Sequence, residues 1–280
     1  MSSAAATGDS ARRLSPPPRW LQVFFLLNVV QDFAIGLTGL FAPGHIVIPL
    51  KGLTPLNARF IAALYLGGGV VILIVAFVRR AVDARIALYA FFVITALVLA
   101  MTFAYWDEFT MDGVPWVWLF TYVVDPLLAP LAIVTLGLVG PAEPGRHRLT
   151  ALFAGEAIVF GGAGIALLVA PARMVDAWPW ALTPLLARVY AAFFLAFAVG
   201  AALAAYERRV AAVRPFLIGS AVLVAGTLVA SLIHLSRFEH SPGRWLWFAS
   251  HALAIALFAA AIATLDRGAR RSRALTPAEP

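Results

Sequence analysis

The chain of 280 residues contains no cysteine, a single lysine (Lys51) and few charges of either sign. The absence of cysteine excludes disulfides, thiolate metal sites, iron–sulfur clusters and thiol nucleophiles. Charged residues make up 12% of the chain, about half of their share in soluble domains. In contrast, 62% of the residues are hydrophobic. This composition predicts an integral membrane protein.

Sequence signatures of the common catalytic sites are also missing. The chain has no Gly-rich phosphate loop after a strand and no serine nucleophile elbow. Its five histidines are scattered without metal-ligand spacing. We therefore expect neither a metal nor a cofactor.

Eight apolar runs are each about 20 residues or longer, enough to cross a hydrocarbon core as helices. They lie at 20–43, 55–78, 84–106, 114–140, 149–171, 184–206, 214–236 and 244–265. No short apolar core with a cleavage site follows the polar residues 1–19, so we interpret the first run as a retained span. Thr54 and Thr183 are expected to cap the second and sixth helices.

The membrane part of the chain contains an internal sequence repeat with an offset of 129 residues. Between Leu53 and Arg85, 14 of 33 positions are identical to their partners at +129, where composition alone gives about a tenth. The sequence thus predicts an all-α integral membrane protein of eight transmembrane helices. Residues 20–140 and 149–265 form two four-helix repeats, and because four is an even number both run in the same direction.

The distribution of basic residues predicts the orientation. Of 21 Lys and Arg residues, 15 lie in the N-terminal tail, the loops after spans 2, 4 and 6, and the basic tail 266–280. The positive-inside rule then places both termini in the cytoplasm of a bacterial plasma membrane. The rule also explains the net charge of +7, so the lipid bilayer is the expected partner and nucleic acid is not.

Seven of the eight tryptophans fall at the predicted outer ends of the spans. Two interpretations stay open for them. They could form an interfacial aromatic belt, which is the usual role of membrane tryptophan, or an aromatic entrance that cages a ligand.

Polar residues inside the spans are the candidates for a binding site, because a charge at membrane depth costs about 2.5–3.5 kcal/mol. Asn28, Gln31 and Asp32 share one face of span 1 through their i, i+3, i+4 spacing. Tyr122 and Asp125 share one face of span 4. We interpret the two aspartates as a proton- or cation-handling pair.

The second repeat has diverged at these positions. Asn28 corresponds to Glu156 with a one-residue slip, and Tyr122 corresponds to His251 at +129. We retain Glu156 and His251 as candidates, and expect Glu156 to reach the cytoplasmic interface by snorkelling. The halves therefore share a frame but not a polar site.

Arg59 and Arg188 are preserved in both copies, each about one turn inside its helix. Each starts a stripe of small residues spaced by four, a pattern typical of helix contacts, so both arginines are expected to point into the bundle. They either anchor the bundle by capping helix ends or pairing with a carboxylate, or they contact an anion or substrate in an outward-opening cavity.

The outer segments of the second repeat resemble a group of small bacterial membrane proteins. Ala170-Pro171, Trp178-Pro179-Trp180, Leu182-Thr183-Pro184-Leu185 and Ala187-Arg188 carry the resemblance. It is to uncharacterised four-helix membrane proteins of high-GC bacteria, here duplicated. The resemblance implies a fold and a compartment, and no chemistry.

The leading hypothesis is a multi-pass protein that binds or transports a small molecule or ion through a cavity between the repeats, because duplication is frequent in transporters. One alternative is a non-enzymatic structural or assembly subunit of an envelope complex, which implies a homo- or hetero-oligomer. The other is a lipid-modifying membrane enzyme that uses Asp125, Tyr122 or His251 as acid–base groups.

Overall fold

The computed structural model describes residues 13–46, 48–110, 115–238 and 242–275. Over these ranges the chain forms α-helices joined by short turns, and no β-strand. The helices are α1 (Arg19–Phe41), α2 (Pro55–Val75), α3 (Arg85–Ala104), α4 (Pro115–Thr135), α5 (Thr150–Val169), α6 (Pro171–Ala177), α7 (Pro184–Ala205), α8 (Val210–Ile233) and α9 (Pro242–Leu275). All but the short α6 have a stretch long and apolar enough to cross a membrane. The predicted all-helical class with eight apolar spans is confirmed.

Local sequence signals explain where several helices begin and end. The Thr54 hydroxyl accepts a hydrogen bond from the Asn57 amide at 3.3 Å, and Thr183 does the same for Leu186 at 3.2 Å. Both predicted caps are therefore present. Two differences from the sequence prediction stand out: α4 ends at residue 135 instead of 140, and a separate helix α6 follows α5.

The helices pack in matched pairs across the two halves of the chain. Within each half, α1 packs on α2 and α4 on α3, as α5 packs on α7 and α9 on α8. Between the halves, α2 packs on α8 and α3 packs on α7. The centre thus consists of α2, α3, α7 and α8, and the chain forms one interlocked body.

The contact between α2 and α8 is unusually close because both helices present glycine. A Cβ built on Gly67 would lie 2.6 Å from the Cβ of Leu223, and one on Gly219 would lie 2.7 Å from the carbonyl oxygen of Gly67. One turn away, Gly226 lies against Ala63. The small residues that follow Arg59 are thus a helix-contact face, as their spacing predicts.

The connection between the halves is fixed by a buried carboxylate. Glu207, 1% exposed, accepts hydrogen bonds from the amides of Ala142, Glu143 and Arg209 at 2.8, 3.0 and 3.1 Å. The Arg209 side chain in turn pairs with buried Asp83, and this hydrogen bond holds the pKa of Arg209 above its ordinary value. Besides their predicted role in orientation, the basic residues therefore include Arg209, whose side chain links the connection between α7 and α8 to the connection between α2 and α3.

We expect Gly219→Ala to destabilise the protein, because the added methyl group would overlap Val71 and the α2 backbone. Overpacking of this kind costs about 1–3 kcal/mol. The measurement is the thermal unfolding midpoint in detergent. Gly162→Ala is the matched control, because nothing lies within 4 Å of a Cβ at that position. Equal midpoints for the two variants would contradict the close crossing.

Candidate functional site

A cavity lies between the two halves, close to the middle of the spans. The space not filled by atoms is about 640 Å³, part of which is open to the surroundings, and it is lined by residues of α1, α2, α3, α4, α7 and α8. Five of the nine predicted site residues line it, namely Asn28, Gln31, Asp32, Tyr122 and Asp125. The polar faces of α1 and α4 therefore meet at one place.

Hydrogen bonds connect these two polar faces. The Asn28 amide donates to the Phe24 carbonyl at 3.0 Å and to Asp125 Oδ1 at 3.4 Å. The Thr121 hydroxyl lies 2.8 Å from Gln31 Oε1. The acid on α4 is thus held by an amide of α1.

Asp32 differs from Asp125 in having no hydrogen-bond partner in the described part of the chain. It is only 8% exposed, packs against Gly69 and lines the cavity. Asp125 is 3% exposed and accepts the bond from Asn28. No arginine or lysine is among the described residues that line the cavity. Two carboxyls at membrane depth without a cationic partner are costly in charged form, so the cavity favours a bound cation or protons.

A pair of tyrosines closes one side of the cavity. The hydroxyls of Tyr65 and Tyr122 lie 2.6 Å apart, and the Trp118 indole donates to the Tyr65 hydroxyl at 3.3 Å. Tyr65 was not among the predicted site residues, because its counterpart at +129 is an apolar residue, Phe194, and it has no polar neighbour on its helix face. A hydroxyl within an apolar span was the only available signal.

Aliphatic and small residues of α2 and α3 form most of the remaining lining of the cavity, and aromatic residues complete it. Phe193 and Phe197 of α7 and Phe216 of α8 contribute aromatic rings from the second half, and Phe91 of α3 contributes one from the first half. Sequence reasoning missed these residues, because phenylalanine in an apolar span gives no signal of its position around a cavity.

Arg59 and Arg188 do not line this cavity but connect helix ends across the two halves. Arg59 donates to the Leu40 carbonyl at 3.0 Å and to His234 Nε2 at 2.7 Å. The guanidinium of Arg188 lies 5.1 Å from the ring centroid of Tyr105. Tyr105 and His234 are themselves 129 residues apart, so each arginine makes the equivalent contact with the end of a helix from the other half. This geometry supports the anchoring interpretation for Arg59. Arg188 also lines a second cavity together with Lys51, Asn57 and Glu108, so contact with a ligand stays open for it.

Glu156 and His251 also lie outside the cavity. The expectation that Glu156 reaches the interface is wrong: it is 7% exposed, and Ser220 of α8 donates to its Oε1 at 2.7 Å. His251 lies 2.8 Å from the Trp247 carbonyl through Nδ1 and 3.1 Å from the Thr227 hydroxyl through Nε2. Both imidazole nitrogens are thus used within the helix pair α8–α9.

The tryptophans follow neither of the two predicted arrangements as a group. Trp106, Trp116 and Trp245 are exposed, as a belt requires. Trp180 is instead 3% exposed, and its indole donates to the Asn57 side chain at 2.7 Å. Tyr190 donates to the same oxygen at 2.9 Å. Asn57, which was not among the predicted site residues, therefore joins α2 to α7 and to the segment between α6 and α7.

No protein-family model, no curated protein and no solved structure matches this chain. The chemistry of the cavity is therefore the basis for a functional assignment. Of the predicted site residues, the five in the cavity form one site, and Arg59, Arg188, Glu156 and His251 each have separate surroundings.

The contact between Arg59 and His234 makes stability dependent on pH. Burial, followed by the charges of Arg59 and Arg237, lowers the pKa of His234. The unfolded chain then binds a proton more readily than the folded one, so the contribution of this contact is present above a pH of about 6.5 and is lost as the pH falls further. We expect the wild-type protein to lose more thermal stability than His234→Gln between pH 7.5 and about 5. Parallel pH profiles of the two proteins would contradict this assignment.

Proposed function

We propose that this protein binds a small cation in the cavity between its halves and carries it across a bacterial plasma membrane. The proposal includes two parallel four-helix repeats with both termini in the cytoplasm. The sequence repeat, the matched helix contacts and the asymmetric arginine distribution support this organisation.

The observation that carries the functional proposal is the unpaired carboxyl of Asp32 beside Asp125 in a cavity near mid-membrane. Ionisable residues at this depth are expensive, and they commonly mark ion or substrate pathways. Binding sites of duplicated transporters lie near the membrane midplane, where the two repeats meet. The cavity has both features, because α7 and α8 of the second half complete its wall.

The geometry gives less support to the two alternatives. A lipid-modifying enzyme would need its acid–base groups together, whereas His251 lies outside the cavity and the Tyr122 hydroxyl is bonded to Tyr65. A structural or assembly subunit would need no unpaired acid at mid-membrane. Labelling and transport experiments distinguish a cation transporter from such a subunit.

Chemical labelling of the carboxyls tests the proposal. Purified protein is treated with dicyclohexylcarbodiimide, a hydrophobic reagent for buried carboxyls, and the modified residues are identified by mass spectrometry. We expect labelling of Asp32 and Asp125, and protection by at least one member of a panel of Na⁺, K⁺, tetramethylammonium and choline. Labelling of Glu156 is the internal control and should not respond to these cations, because Glu156 lies outside the cavity.

Entry of each protecting cation into proteoliposomes then tests transport. We expect Asp32→Asn and Asp125→Asn to reduce entry by about tenfold or more, as for loss of a charged partner, while Glu156→Gln retains it. Absence of protection by every cation would overturn the proposed function. Protection without entry would overturn transport and favour the subunit alternative.

The proposed orientation has its own test. An alkaline phosphatase fused after Pro280 should be inactive and a green fluorescent protein at the same place should fluoresce, because the C-terminus is expected in the cytoplasm. Fusion of both reporters after Lys51 provides the control with the opposite result. An active phosphatase after Pro280 would show that the orientation or the number of spans is wrong.

A further inference from the structure

We infer that the cavity selects organic ammonium ions over metal ions, because its lining combines the carboxyls of Asp32 and Asp125 with six aromatic rings. The inference rests on the proposed function and names the class of its ligand. It depends on the sign of the charge in the cavity, on the scarcity of negatively charged oxygen ligands and on the aromatic content of the lining.

The charged groups of the cavity determine whether it binds a cation or an anion. Its lining contains two carboxyls, and neither arginine nor lysine is among its described residues. The two duplicated arginines, which could have attracted an anion, are engaged elsewhere with His234 and Tyr105. An anionic solute would therefore meet only repulsion at this depth.

Only two groups of the lining, the carboxyls of Asp32 and Asp125, can offer negatively charged oxygens to a metal ion. The hydroxyls of Tyr65 and Tyr122 bond each other, and the Thr95 hydroxyl donates to the Phe91 carbonyl at 2.8 Å. Gln31 Oε1 lies within hydrogen-bonding distance of Thr121. Hard cations such as Ca²⁺ take about six to eight oxygen ligands. No group of three His, Cys, Asp or Glu residues suited to a metal occurs in the described ranges.

Six aromatic rings contribute to the lining of the cavity. They belong to Tyr65, Phe91, Tyr122, Phe193, Phe197 and Phe216. Ring faces attract an ammonium group while accepting the methyl or methylene groups attached to it, and desolvation strengthens this attraction. A metal ion would have to give up its water ligands to contact the rings, and it brings no methyl or methylene group to pack against them.

The carboxyls and the phenylalanine rings of the lining come from different helices. The carboxyls belong to α1 and α4, whereas Phe193, Phe197 and Phe216 belong to α7 and α8. An ion with one ammonium group and a short apolar body can place its charge beside the acids and its hydrocarbon against the rings.

Calorimetric titration of the purified protein tests the inference. Choline and tetramethylammonium are titrated in a buffer that contains excess NaCl, so that binding must occur in competition with Na⁺. The matched ligand is 3,3-dimethyl-1-butanol, which has the shape of choline without its charge. We expect saturable binding of at least one ammonium ion, and binding at least about tenfold weaker for the neutral isostere.

Variants separate the contributions of the acids and the rings. Asp125→Asn should weaken ammonium binding by about tenfold or more. Phe91→Leu should weaken it by about three- to tenfold. Phe103→Leu is the matched control, because Phe103 lies on the same helix as Phe91 but outside the cavity, and it should leave the affinity unchanged.

The outcomes distinguish this inference from the proposed function. If Na⁺ or K⁺ protects Asp32 and Asp125 from labelling while no ammonium ion binds, the inference is wrong and the proposed function stands. If no cation of either kind binds or protects, both fail. Equal affinity for choline and its neutral isostere would also overturn the inference, because it would show that charge has no part in recognition.

Discussion

The close contact of α2 with α8 is the interaction on which the rest of the structure depends. Inside a bilayer, burial of apolar side chains against other helices gains little over contact with lipid, so helices associate through van der Waals packing of small residues. Gly67 and Gly219 allow the two backbones to approach until a single Cβ would overlap the opposite helix. Because α2 and α8 belong to different halves, their contact joins the two halves into one body. Helix α1 packs on α2, and α9 packs on α8.

The corresponding contact between α3 and α7 differs in one respect that matters for the site. The positions equivalent to Gly219 and Gly67 in the repeat register are Ala90 and Ala196. Both alanines line the cavity. The two helix contacts occupy equivalent positions in the repeat but differ in packing. The glycines allow α2 and α8 to touch, whereas the alanines of α3 and α7 lie at the edge of the cavity.

The sequence was sufficient to predict the helices and the polar residues of the cavity, and insufficient to predict its aromatic residues. Apolar length predicted the spans, and the i, i+3, i+4 spacing of Asn28, Gln31 and Asp32 predicted a shared polar face that the structure places in the cavity. The aromatic residues of the cavity were not predictable, because Phe193 and Phe216 cannot be distinguished from other apolar residues before the packing of the helices is known. The anchoring contacts of Arg59 and Arg188 were likewise ambiguous, because a pattern in the chain does not name a partner from the other half.

Divergence of the two halves follows from the cost of buried charge. If both halves had kept an acid pair on their first and fourth helices, the bundle would hold four carboxyls at membrane depth and would carry that cost twice. Instead, Phe160 occupies the position that corresponds to Asp32, and its ring packs 5.3 Å from Phe194 and 6.1 Å from Phe197. The same Phe197 lines the cavity on its other side. Phenylalanine at the position of Asp32 therefore supplies packing that supports the aromatic residues of the cavity, while Glu156, a buried acid of the second half, lies outside it.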